Sequence, residues 1–237
     1  MDLEKFMFRY KVVMDQQASV HGGTVMYLNQ HTVLWGVQKQ ERHNLGADAG
    51  GVCAGLALEW IKAVLDGRDF IKQLDAARNA VMTTPKDTPL DAAATKLFKG
   101  IHGAHEALTA ENEIADNVKK LLSKKAKYVK TLHSPHPHSG LESKLTDGSY
   151  YYIVTQQHVA ACVCRGDKVD LYDPNVGVVT GAAKKIVPDY FEDCMVATRD
   201  EARQQHESVP ELAQGAMDLI EFTPIFATET VGEQYNI

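Results

Sequence analysis

The sequence predicts an α+β domain in which a helical first half is followed by an antiparallel β half. Two observations carry this expectation. From about Arg68 to Lys130 the pattern is mainly helical, with few breaks. From Tyr150 to Gly181, short runs rich in β-branched and aromatic residues alternate with turn signals. Helices first and hairpin-linked strands second is the α+β order, not the alternation that builds a parallel sheet. At 237 residues the chain is long enough for one sizeable domain. The expectation is a single domain over 1–237, with its helical segment at about 68–130.

Along the chain, the first forty residues suggest irregular structure with short strands, the best being TVMYL (Thr24 to Leu28) and TVLWGV (Thr32 to Val37). Gly46, Gly50 and Gly51 then interrupt the chain, and a helical pattern begins. Leu56, Trp60, Ile61, Val64 and Leu65 recur on one face, Glu59, Lys62 and Asp66 fall on the other, and Gly67 closes the run. Cys53 therefore belongs to the first turn of this helix, and Trp60 to its packing face. Pro85 and Pro89 divide the helical segment, and Gly100 and Gly103 weaken it. The basic cluster Lys119, Lys120, Lys124, Lys125, Lys127 and Lys130 lies in this segment and fits a solvated helix face. HSPHPHSG (His133 to Gly140) fits a loop. YYYIVT, HVAACVC, KVDLYD and VGVVTG then give four strands, with turns at Arg165 to Asp167 and at Asp173 to Gly177. Asp189 to Met195 and the later FTPIFATET suggest further edge strands.

Composition narrows the function. Hydrophobic residues at 44% and charged residues at 24% give an ordinary globular balance. A formal net charge of -6 offers no basic field for nucleic acid. No apolar run approaches the roughly 20 residues that span a bilayer. The N-terminal stretch is charged throughout and lacks the apolar core of a secretory signal, so export would use a route without one. Four cysteines are too few for a disulfide scaffold in a chain of this length. Cys162 and Cys164 share one face of a strand and suit small core residues. Cys53 stands in a different setting.

A thiol becomes nucleophilic as the thiolate, which the positive end of a helix and a neighbouring imidazolium both favour. Cys53 has the first by position, and Gly50 and Gly51 allow close backbone approach to a substrate. His158 opens one strand and Asp173 closes the next. A turn centred between Arg165 and Gly166 sets them directly opposite each other. A shift of one residue sets His158 opposite Asn175 instead. Either way a histidine faces an acid or amide at a Cα separation of roughly 4.5–5.5 Å, close enough to fix the tautomer and orientation of the ring.

Together GGVCAGLALEWI, HVAACV and LYDPNVG resemble the three motifs of the YopT/AvrPphB-type cysteine proteases, bacterial effector enzymes. The order Cys, His, Asp matches, as do a long gap from Cys53 to His158 and a short one to Asp173. The resemblance covers about 130 residues and implies a papain-like fold, with the nucleophile's helix packed on an antiparallel sheet carrying His and Asp. It implies Cys53 as nucleophile, His158 as general base and then acid, and Asp173 as the group that orients the base. It also implies a polar side chain ahead of the nucleophile at the oxyanion hole. Asn44, Asp48 and Gln40 are the candidates, with Asn44 preferred because an ionised Asp is a poor donor. No cofactor is required. The implied partner is a protein substrate from a host cell, reached by secretion without a signal peptide.

Three other readings stay open at this level. His133, His136 and His138 lie close together, but no Cys or acid joins them until Glu142, which fits a surface loop better than a metal site. A transglutaminase-like or acyltransferase enzyme would use the same triad and thioester with a different acceptor. An inactive homologue could serve as a binding module, although all three triad residue types are present.

Overall fold

A computed structural model describes residues 3–28, 52–85, 87–109, 114–136, 140–155, 158–204 and 216–225. In chain order the elements are α1 (Leu3–His21), β1 (Thr24–Tyr27), α2 (Cys53–Leu65), α3 (Phe70–Thr83), α4 (Ala92–Thr109), α5 (Ile114–Leu122) and β2 (Ala126–Ser134). There follow β3 (Tyr150–Thr155), β4 (Val159–Arg165), β5 (Lys168–Asp173), β6 (Gly177–Ala183), α6 (Ile186–Gln204) and β7 (Met217–Pro224). The strands form one antiparallel sheet in the order β1-β6-β5-β4-β3-β7-β2. The predicted α+β class is therefore what the chain adopts. None of the described helices is long and apolar enough to cross a membrane.

The central strands are buried on both faces, and each face of the sheet has its own core. On one side α2 to α5 pack against Tyr152, Val159, Ala161, Val163, Tyr172, Val178, Ile220 and Phe222. On the other, α1 and α6 pack against Tyr151, Ile153, Ala160, Cys162, Cys164, Leu171 and Leu219. Residues alternate between the two cores along β3 and β4, as the two-residue period of a strand requires. A strand buried on both faces shows no polar alternation, which is why YYYIVT and VAACVC are continuously apolar.

Several sequence expectations are corrected. The first residues are not irregular: α1 occupies 3–21, and its Tyr10, Val13, Met14 and Ala18 are buried. TVMYL does supply β1, while Thr32 to Val37 lies outside the described residues. The helical segment stops at Leu122. Lys127 and Lys130 lie in β2, not on a helix, and His133 lies within that strand, one residue before its end, rather than opening a loop. Asp189 to Met195 belongs to α6, not to an edge strand. Of FTPIFATET, Phe222 to Pro224 completes β7, which sits inside the sheet between β3 and β2. Helix α4 runs through Gly100 and Gly103, which lower its helix propensity without ending it.

Candidate active site

The nucleophile candidate is set by α2. Cys53 is the first residue of this helix, as its spacing predicted. Where α3 has Asp69 accepting from the Lys72 N–H at 2.9 Å, α2 begins at Val52 with no side-chain cap. Helix geometry leaves the first N–H groups without an intrahelical acceptor, and here their positive field is not offset by an acidic residue in the first turn. That field favours a thiolate at Cys53 and an oxyanion beside it.

Two contacts hold this helix start in place. Tyr152, fully buried on β3, donates its hydroxyl to the Ala54 carbonyl at 3.0 Å. Gly55 lies against α4 so closely that a Cβ there would stand 2.1 Å from the Ile101 carbonyl oxygen and 2.9 Å from the His105 nitrogen. Only glycine permits that approach. Further along α2, Trp60 stacks on Tyr172 with ring centroids 5.6 Å apart, so it serves packing as expected.

His158 and Asp173 come from the β4–β5 hairpin, but not in the first-choice register. The ladder pairs Arg165 with Lys168, Cys164 with Val169 and Ala161 with Tyr172. The turn is therefore Gly166 and Asp167, one residue further on than the direct His158–Asp173 opposition requires. Extending the ladder sets His158 opposite Asn175, and His158 stands one residue outside β4. The ring nevertheless meets the acid: His158 Nε2 and Asp173 Oδ1 are 2.9 Å apart. Asn175 Nδ2 lies 3.4 Å from His158 Nδ1, so both alternatives of the sequence reading contact the same ring.

Asp173 is fully buried and made tolerable by donors. Besides the His158 ring, Oδ1 accepts the Asn175 N–H at 2.8 Å, the side-chain-to-backbone bond typical of an Asp-Pro-Asn turn. Oδ2 accepts the Tyr190 hydroxyl at 2.8 Å. Burial alone would raise this carboxyl, but the His158 charge and hydrogen bond, with the Asn175 and Tyr190 donors, hold it below its ordinary value. Burial likewise opposes charge on His158. The Asp173 charge and hydrogen bond, then the hydrogen bond and charge of Cys53, outweigh it and raise the imidazole to about 10. Cys53 is thus one of the groups that favour charge on the ring. Cys53 and His158 each keep 7% exposure while Asp173 has none, an order that places the thiol and ring toward solvent and the acid behind them.

The remaining predicted residues scatter. Asn44, Asp48 and Gln40 lie outside the described residues. His133 bonds Asp218 at 2.6 Å across the β2–β7 ladder, far in the sheet order from β4, and His138 is outside the described residues. Among the described residues no group of three His, Cys, Asp or Glu is arranged around a metal. Tyr190, Tyr152 and Gly55 escaped the sequence reading. Tyr190 did so because its segment resembles a strand, and Tyr152 because it is one aromatic among three. Gly55 follows Cys53 closely enough that its glycine identity was a usable signal.

A thiol at a helix start, facing a buried histidine–carboxylate pair across a helix–sheet seam, is an arrangement of the cysteine-hydrolase class. The chain belongs to the Peptidase_C58 family, described as Yersinia/Haemophilus virulence surface antigen, whose family model matches residues 15–210. It is accordingly a cysteine protease of a virulence-effector family, as the three motifs implied. Among solved structures, the crystal structure of the Pseudomonas avirulence protein AvrPphB is similar at TM-score 0.46 and 16% identity, covering 84% of this chain and 97% of that one. No curated protein sequence matches.

Proposed function

We propose that the chain is one catalytic domain, a cysteine endopeptidase in which Cys53 is the nucleophile, His158 the general base and then acid, and Asp173 the group that orients the ring. The observation that carries this reading is the His158 Nε2–Asp173 Oδ1 contact at 2.9 Å, buried beside the helix start that bears Cys53. With Nε2 held by Asp173, Nδ1 is the nitrogen left to exchange a proton with the thiol. The thiolate attacks the scissile carbonyl and its π electrons move to oxygen. The Cys53 backbone N–H, at the positive end of α2, is placed to stabilise that oxyanion. Asn44 is the side-chain candidate to assist. Collapse of the tetrahedral species breaks the C–N bond, and the imidazolium gives its proton to the leaving amine. Water then loses a proton to His158 and attacks the thioester, which releases the acid and restores the thiol.

The substrate is a host protein, a reading supported by membership in a virulence-protein family. The test is to identify new N-termini in host-cell lysate treated with the parent protein or with Cys53→Ala. Termini that appear only with the parent establish the endopeptidase and name its substrate. Substrate chains crosslinked with loss of ammonia, and no new termini, would show an acyl-transfer enzyme instead.

A further inference from the structure

The Asp173 carboxylate has two oxygens, and only one serves His158. Oδ2 is bound by Tyr190, which comes from α6 on the sheet face opposite the nucleophile's helix. Tyr190 is fully buried, and its ring is fixed edge-on against Phe191 with centroids 5.3 Å apart. Burial, then the Asp173 charge, push its phenol well above the ordinary value, so at Asp173 it is a permanent donor. The other groups facing this pair are Cys194 on α6, Tyr10 on α1 and Tyr172 on β5. All of them are thiols or phenols, and none is a cation. Apart from the His158 ring and the Asn175 N–H, the Tyr190 hydroxyl is the hydrogen-bond donor that holds the buried carboxylate in place.

We propose that Tyr190 is a positioning residue for the reaction: its hydroxyl, delivered from α6 to Asp173 Oδ2, fixes the carboxylate plane so that Oδ1 stays aimed at His158 Nε2. This rests on the triad reading above, since Tyr190 acts only through Asp173. A carboxylate left free to turn takes Oδ1 off the ring. His158 then loses the aligned hydrogen bond that stabilises its imidazolium, and Cys53 loses the imidazolium that stabilises its thiolate. The acid limb of Cys53 reactivity should therefore move to higher pH.

The experiment measures alkylation of Cys53 by iodoacetamide against pH, read peptide by peptide by mass spectrometry, in five full-length proteins. These are the parent, Tyr190→Phe, Asp173→Asn, the double variant, and Tyr151→Phe. Tyr151 is the control, a buried tyrosine on the same face whose hydroxyl accepts the Thr146 N–H at 2.7 Å and is remote from Asp173. The midpoint of the limb comes from the curve's shape, so partial loss of folded protein does not move it. In Tyr190→Phe the limb rises by about one pH unit, the scale of a lost hydrogen bond to a charged group. In Tyr151→Phe it stays in place. In Asp173→Asn it rises at least as far, and the double variant adds nothing further. A Tyr190→Phe curve coincident with the parent, beside a displaced Asp173→Asn curve, overturns the role of Tyr190 and leaves the triad standing. An Asp173→Asn curve coincident with the parent overturns the triad reading and the proposal together.

Discussion

The two faces of the sheet are built differently. The face under α2 to α5 is assembled from neighbours in sequence: residues 53–122 form four successive helices, and α2 packs on α4 through the Gly55 contact. The opposite face joins the two ends of the described chain. There α1 meets α6, with Tyr10 bonded to Thr198 at 3.3 Å across a separation of 188 residues. The local face carries Cys53, and the long-range face anchors Asp173 through Tyr190. The division teaches that the helix bearing Cys53 is packed mainly by its sequence neighbours, with Tyr152 of β3 as a long-range tie, whereas Asp173 is tied to the face that unites distant parts of the chain. Cysteines divide the same way, since Cys53 lies in the first core and Cys162, Cys164 and Cys194 lie in the second.

Four substitutions sharpen or break this contrast. The largest effect is expected at the junction of the faces. Asp173→Asn presents an amide to the ring and favours the wrong tautomer, so cleavage falls by about four orders of magnitude, as for the corresponding Asp→Asn change in a serine-protease triad. A cleavage assay beside a melting curve checks it, and activity within a few-fold of the parent would reduce Asp173 to a turn residue. Next, on the acid's face, Met14→Ala removes a fully buried side chain of α1 at a cost of about 2–5 kcal/mol. Native-state labelling should then accelerate at Cys194 and leave Cys53 still the fastest thiol. Uniform acceleration at all four cysteines would mean that the two faces open together.

On the nucleophile's face, Gly55→Ala forces a Cβ against the Ile101 carbonyl, and overpacking of this kind costs about 1–3 kcal/mol. Displacement of α2 should also slow Cys53 alkylation. The smallest effect, and of opposite sign, is expected at Gly103→Ala. This glycine lies in the same α4, exposed and with nothing within 4 Å of a Cβ, so the change should stabilise by about 0.5–1 kcal/mol. Urea titration of the pair reads both signs.

The pH dependence follows from the His158–Asp173 pair. His158 is raised in the fold, from an ordinary value near 6.5 to about 10. Its contribution to stability is therefore full below the ordinary value and fades as pH rises toward 10. Asp173 is lowered, so its contribution is present above the ordinary carboxylate value and is lost on acidification through the folded one. The stability advantage of the parent over Asp173→Asn should therefore be widest between these limits and shrink at both ends. Denaturation curves from pH 3 to pH 10 check the shape.

The same division explains what the sequence disclosed. The motif-bearing elements α2, β4 and β5 were legible because their signals are local: helical spacing, continuous apolar runs and a Gly-containing turn. The acid's face was not. In α1 the buried stripe Tyr10, Val13, Met14 and Ala18 is blurred by exposed Phe8, Val12 and Val20. Helix α6 is rich in strand-favouring residues, with Val187, Tyr190, Phe191, Cys194, Val196 and Thr198. Burial at 186, 187, 190, 191, 194 and 195 follows a helical period nonetheless, and Pro188 is tolerated in a first turn. Strand β2 misled in the opposite way. Only its two ends are buried, so it shows no alternation, and pairing with β7 holds it in place of packing. The hairpin register was left between two alternatives one residue apart, because a turn at Gly166 and Asp167 and one at Arg165 and Gly166 differ little in local signal.

The strand order has a consequence for endurance. Strand β4 is the middle of seven, with three strands on either side, and His158 is attached to its first residue. Sheets fray from their edges inward, so amide hydrogens of β1 and β2 should exchange with solvent first and those of β4 last. His158 is therefore tethered to the part of the molecule that opens least often, and transient loss of an edge leaves its backbone anchor untouched.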